Sequence, residues 1–229
     1  LDIVKLPKTN GDRKGALEIP RGAVRVARII HRGDYNADPV AMINLCDEVR
    51  KKAGIDVFSR SRHLRPDDEA IFEYPVVFMN GHYAFTLKNE ERRVLASYLS
   101  RGGMLLADSC CGKSAFDKSF RNMANSLFPE NRQARLKPLD RKHPLYTGKT
   151  GITLGELRYR PALANMTKKR GTTFPPLEGL ALDGQFVILY SKYDWCCAFQ
   201  GDRPFSCLGY TDTDGRKLGV ALLLYAMSF

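Results

Sequence analysis

Apolar and polar residues alternate along this chain in two rhythms, and the switches between them predict its elements. Residues 23–30, "AVRVARII", alternate apolar with basic side chains as a half-buried strand does. In "DYNADPVAMINLCDEVRKKAG" the rhythm lengthens. Val40, Ile43, Leu45 and Val49 supply apolar positions, Asp38 is the expected N-cap, Pro39 takes the first helical position and Gly54 ends the helix. A short second strand is expected over 55–58, "IDVF". The run "YPVVFMN" at 74–80 is apolar without alternation, which predicts a strand covered on both faces.

A helix follows from about Leu87 to Gly102, with acids early and Arg101 late as the helix dipole prefers. "MLLAD" at 104–108 reads as the next strand. Ser114 and Asp117 form an S-x-x-D capping signal for a helix reaching about Leu127. Residues 130–176 are loop-rich and basic. "PLEGLALDGQFVILY" predicts two strands around a tight "LDG" turn, and "GRKLGVALLLYAM" a buried C-terminal helix. Strand–helix alternation over the first 130 residues predicts a three-layer α/β domain with a mainly parallel sheet and helices on both faces. The expected organisation is an N-terminal arm over 1–22 and one domain over 23–229, with 130–176 as a basic insertion.

Composition narrows this picture. With 229 residues, 44% hydrophobic and 27% charged, the chain can bury a full core without disulfide staples. Its longest apolar segment, 218–227, is shorter than the roughly 20 residues that span a bilayer. No apolar leader is present, and the start at Leu1 rather than Met suggests a piece of a larger protein with a domain or targeting segment upstream. The net charge of +11 is concentrated over 101–176, where 15 basic residues face 5 acidic ones. Such a surface suits phosphates or acidic partners, although a solvated face is the simpler account. Its aromatic residues are not interleaved as a stacking platform, so nucleic acid is not the expected partner.

The chemistry-bearing residues gather after the predicted strands, where open parallel sheets bind ligands. His31 and Asp34 follow the first strand, and His82 the apolar one. Asp108, Cys110 and Cys111 follow "MLLAD", while Asp194, Cys196 and Cys197 follow "QFVILYSKY". Three chemistries fit. Cys110 or Cys111, at a turn leading into a helix, suits a nucleophile with His82 as base and His143 as second choice. Cys111 and Cys197 with His82 and a carboxylate suit zinc, although adjacent cysteines are awkward ligands and no C-x-x-C is present. A disulfide between the doublets needs Cα atoms within about 7 Å, which sequence does not reveal. Plain packing of the thiols is the bland account. Cys46 and Cys207 read as buried apolar residues, His63 as part of an exposed basic loop, and His143 as a turn residue.

The ordered motifs "YPVVFMNGHYAF", "GGMLLADSCCG", "AFDKSFRNMANSLFP", "HPLY", "PLEGLALDGQFVILYSKYDWCCAF" and "LGVALLLYAMS" resemble bacterial domain-of-unknown-function family 4159 over residues 23–229. That resemblance implies a flavodoxin-like fold of the class I glutamine amidotransferase-like superfamily. The elbow here reads Asp108-Ser109-Cys110-Cys111-Gly112 instead of G-x-C-x-G, and no histidine is followed by x-Glu, so no glutaminase triad is recognised. Members similar to this chain often carry His at the position of Cys111 and Asp at that of Cys197, which implies that these two face each other. The resemblance also implies a module of a larger, envelope-associated bacterial protein. Its expected role is to bind an unidentified small molecule or protein partner through Asp34, His82, Asp108, Cys111, Asp194 and Cys197. A cysteine-dependent hydrolase and a zinc-binding domain are the alternatives.

Overall fold

The computed structural model describes residues 24–148, 152–169, 171–201 and 204–228; the expected N-terminal arm lies outside them. The first half alternates strand and helix. Strand β1 (Val24–Ile29) leads to α1 (Ala41–Ala53), then β2 (Val57–Leu64), a 3-10 turn (Glu69–Glu73), β3 (Val76–Gly81), α2 (Asn89–Ser100) and β4 (Met104–Ser109). A tight turn at Cys110–Gly112 opens into α3 (Ser114–Ser126). Short pieces follow: β5 (Lys137–Pro138), α4 (Pro144–Thr147), β6 (Leu157–Arg158), α5 (Pro161–Thr167) and β7 (Thr172–Thr173). The chain closes with the hairpin β8 (Leu177–Leu182) and β9 (Gln185–Ser191), one turn of helix α6 (Cys197–Gln200), and α7 (Asp212–Ala226).

Among the described residues, seven strands form one sheet in the order β2-β1-β3-β4-β9-β8-β5. The pairs from β2 through β9 are parallel, and β8 and β5 extend the edge antiparallel. The apolar run of β3 is buried at every residue because both sheet faces are covered. Val76 and Phe78 join one core with Leu45 and Val49 of α1 and Leu218 and Leu222 of α7. Val77 and Met79 join the other, with Leu95 of α2 and Phe116 and Phe120 of α3. This period-two split is what a strand between two helical layers requires.

Several local expectations give way to packing. Asp38 does not cap α1. The helix starts after Val40 with no side-chain cap, and the Asp38 carboxylate turns into the interior, where hydrogen bonds await it. Ser114 is the first helical residue of α3, not its cap, and Asp117 instead bonds Arg121 and the Tyr190 hydroxyl. The second strand runs to Leu64, so His63 lies in β2 rather than in an exposed loop. Gly54 ends α1 in the left-handed conformation, as its sequence position predicts.

Candidate functional site

Parallel register brings the ends of the central strands into one row. Asn80 on β3 pairs with Asp108 on β4, which pairs with Ser191 on β9. Past these residues each strand releases a loop at the same rim, the place the parallel sheet reserves for ligands. The β1 loop delivers His31, Asp34 and Asp38. The β3 loop delivers His82, the β4 turn Cys110 and Cys111, and the β9 loop Asp194, Cys196 and Cys197.

A further segment is drawn in by its backbone. Asp194 N–H donates to Leu208 O at 3.1 Å, Tyr210 N–H to Asp194 O at 3.0 Å, and Leu208 N–H to Cys111 O at 3.3 Å. These bonds seat Cys207 against Cys110 and Cys197. Gly112, at φ 63°, makes room for this approach, since a Cβ there would lie 2.6 Å from Leu208 Cβ.

Five thiols therefore meet three carboxylates. Cys110, Cys111, Cys196, Cys197 and Cys207 are all free thiols. Ligand atoms of Cys110, Cys111, Cys197 and Asp194 lie within 4.8 Å of one another. Asp194 spans this group. Its Oδ2 accepts the Cys111 N–H at 2.5 Å and the Cys197 thiol at 2.9 Å, and its Oδ1 accepts the Cys197 N–H at 2.9 Å. Asp38 Oδ2 accepts from Asn80 Nδ2 at 2.7 Å, Cys196 Sγ at 2.9 Å and Cys110 Sγ at 3.2 Å. Asp108 Oδ2 accepts the N–H groups of Trp195 and Cys196 at 2.9 and 3.0 Å. Its Oδ1 is buried with no partner among the described residues.

Asp38, Asp108 and Asp194 are all at most 2% exposed. Two buried arginines stand near them: Arg28, whose guanidinium donates to Asp38 O at 2.6 Å and to Asn80 Oδ1 at 3.0 Å, and Arg160, close enough to Asp194 to feel its charge. Burial and then the charge of Asp194 push Asp108 well above the usual carboxylate range. Asp194 itself is pushed up to about 6 by burial, then by Asp38. A buried carboxylate group this dense is costly unless protons or cations neutralise it.

Cys111 differs from its neighbours. It is the one thiol of the five that is only half-buried, and its backbone sits at φ 51°, ψ 19°, in the left-handed region. The neighbouring thiols of Cys110, Cys197 and Cys207, with His82 adding to them, push its pKa below that of an ordinary thiol. Cys110, Cys197 and Cys207 move upward in exchange. His82 is pushed up to about 9, first by its hydrogen bond to Cys111 and then by Asp34, whose Oδ2 lies 2.7 Å from Nδ1. The β1 and β3 loops hold this pair by close backbone contact. His82 N–H donates to Gly33 O at 3.1 Å, and a Cβ on Gly81 would lie 2.2 Å from that oxygen.

A family model for a domain of unknown function, DUF4159, matches residues 25–227. The chain belongs to this family. No match is found among curated proteins.

In this DUF4159 domain the rim unites Asp34, His82, Cys110, Cys111, Asp194 and Cys197, with Asp108 directly beneath. His82 stands one step outside the four-donor group, in contact with Cys111. His143 lies apart: its ring packs on Phe186 and Tyr225, and Nδ1 accepts the Leu145 N–H. His31 is buried, hydrogen-bonded through Nε2 to Asn80 O, and pushed down to about 4 by desolvation. Sequence reasoning missed Cys207, read as a packing residue, and Asp38, read as a helix cap. The signal for Cys207 was the backbone bridge between Asp194 and Gly209, which only tertiary structure displays. Cys46, by contrast, is a buried residue of the α1 face.

Proposed function

We propose that this domain binds a thiophilic divalent metal ion of the zinc class, held by Cys110, Cys111, Cys197 and Asp194, with Cys207 beside it and His82 hydrogen-bonded to the outer ligand. The observation that carries the reading is the convergence of three sulfurs and a carboxylate oxygen within 4.8 Å. A tetrahedral zinc ion, with bonds of about 2.3 Å to sulfur and about 2.0 Å to oxygen, needs donor atoms roughly 3.5–3.8 Å apart. Soft thiolates with one carboxylate favour such an ion over calcium or magnesium. His82 and Asp34 then act as an outer pair, the imidazole donating to the Cys111 sulfur and the carboxylate orienting the ring.

The scaffold for this site is a flavodoxin-like, class I glutamine amidotransferase-like domain over 23–229, with 130–176 as an insertion, working as a binding module within a larger bacterial protein. The parallel strand order β2-β1-β3-β4-β9 supports that architecture. Among the described residues no helix is long and apolar enough to cross a membrane. The test is metal content by elemental mass spectrometry on protein purified without chelator, with Cys111→Ser and Cys197→Ser alongside. Bound zinc that falls sharply in both variants is expected; wild-type protein free of metal, with all five cluster thiols reactive when denatured, would sink the reading.

A second reading makes Cys111 a nucleophile of a cysteine hydrolase, with His82 as its base and Asp34 as the orienting carboxylate. The half-exposed, left-handed placement of Cys111 at a strand–turn–helix junction favours it. The Cys111 N–H is already taken by Asp194, so it is not free to stabilise an oxyanion. Metal-free, active protein that loses turnover of an ester probe in Cys111→Ser and His82→Ala would favour this reading over the metal.

A further inference from the structure

Resting on the metal-binding reading, we infer a second metal position beside the first, formed by Asp38, Cys196 and Cys110, with the Cys110 sulfur bridging the two ions. The donor atoms of Asp38, Cys110 and Cys196 form their own group within 4.8 Å, and all three side chains are buried. Cys110 belongs to this group and to the first one. A thiolate sulfur has lone pairs enough to bind two cations at once.

The hydrogen bonds around Asp38 hold its carboxyl group against both thiols. Its Oδ2 takes the thiol protons of both Cys110 and Cys196, at 3.2 and 2.9 Å. Its Oδ1 lies 3.6 Å from Cys197 Sγ, a first-group ligand, so the two positions are contiguous. Asn80 holds the pair from outside, donating through Nδ2 to Asp38 at 2.7 Å and to Cys196 Sγ at 3.1 Å. The first ion takes Cys110 as a thiolate, so entry of the second replaces the S–H proton of Cys196, which leaves to solvent, and the two sulfurs and the Asp38 oxygen become its ligands.

Charge and satisfaction favour the same conclusion. One divalent ion on three thiolates and Asp194 leaves the first group negative, and the buried Asp38 carboxyl group lies against it, 3.6 Å from Cys197 Sγ. The buried guanidinium groups of Arg28 and Arg160 offset part of that excess. Asp108 Oδ1 is a fully buried acceptor without a partner among the described residues, in a group with Cys196 and Asp194, one residue from each position. A buried oxygen in this state needs a proton, a donor or a cation.

The experiment is anaerobic cobalt(II) titration of the reduced chain, followed by its thiolate charge-transfer absorption and by native mass spectrometry. Wild type should take up two equivalents, while Cys196→Ser and Asp38→Asn, checked for folding by circular dichroism, should each take up one. Saturation at one equivalent in wild type overturns the second position and leaves the first standing. No uptake overturns both. Two equivalents retained in both variants overturn the assignment to Asp38 and Cys196. Cadmium-113 spectra of wild type need no variant: two unequal, mutually coupled resonances are expected, and two uncoupled ones overturn the Cys110 bridge.

Discussion

The carboxylate of Asp194 accepts the backbone N–H of Cys111 at 2.5 Å across a gap of more than eighty residues in sequence. That bond joins the β4 turn to the β9 loop and holds one doublet against the other. Asp194→Asn leaves one acceptor oxygen for groups that use two: with the amide nitrogen in place of Oδ2, a donor would face the Cys111 N–H and the Cys197 thiol, and in place of Oδ1 the Cys197 N–H. The metal-free variant should lose roughly 2 kcal/mol or more, the scale of a buried charge-assisted hydrogen bond. Urea denaturation in chelator checks the loss, and a variant as stable as wild type would show that Asp194 does not organise the rim.

Metal should stabilise the fold by an amount that grows with the logarithm of its affinity. An ion that binds only the native state adds about 4 kcal/mol when its free concentration is a thousand times Kd. Melting with and without excess zinc, and again after chelator, reads this directly. An unchanged Tm would contradict the metal-binding reading.

Cys111 should alkylate first. Its depressed pKa and partial exposure set it apart from Cys110, Cys196, Cys197 and Cys207, which are buried. In metal-free protein at neutral pH it should react about tenfold faster than the others or more. Asp34→Asn, which weakens the hold on His82, should narrow the difference, and zinc should suppress it. Peptide mapping after brief iodoacetamide treatment identifies the site. Uniform slow reaction at all five would exclude a privileged thiol.

His31 links stability to pH. Burial pushes its folded pKa down to about 4 from an unfolded value near 6.5, so the folded protein holds it neutral. The unfolded chain binds the extra proton. Stability from this group is therefore complete above pH 6.5 and is lost as pH falls from 6.5 to 4, by roughly 3 kcal/mol in total. His31→Gln should flatten this segment of the curve. Parallel pH profiles for the two proteins would refute the assignment.

Gly81→Ala should open the outer pair. The added Cβ would meet Gly33 O at 2.2 Å, so the β1 loop carrying Asp34 must retreat from His82. Overpacking of this kind costs about 1–3 kcal/mol. Nuclear magnetic resonance titration of His82, pushed up to about 9 in the wild type, should show a lower value in the variant. An unshifted His82 would mean that the loop contact does not position the pair.

Local pattern alone determined much of this protein. The unbroken apolar run of β3, the helical spacing of α1 and α2, and the turn in "LDG", where Asp183 and Gly184 both have positive φ, are set by near neighbours. They are legible because burial on both faces, helical period and turn chemistry each leave a short-range mark. The rule for strand ends even gathers most rim residues, since a parallel sheet sends its loops to one side. Tertiary structure decided the remainder. Asp38 has the sequence context of a helix cap and is spent on two thiols and an asparagine instead. Cys207 looks like core until the Asp194–Gly209 bridge seats its loop beside Cys111. Both outcomes depend on which distant polar groups need partners once the sheet and its helices have closed, and that demand has no local signature.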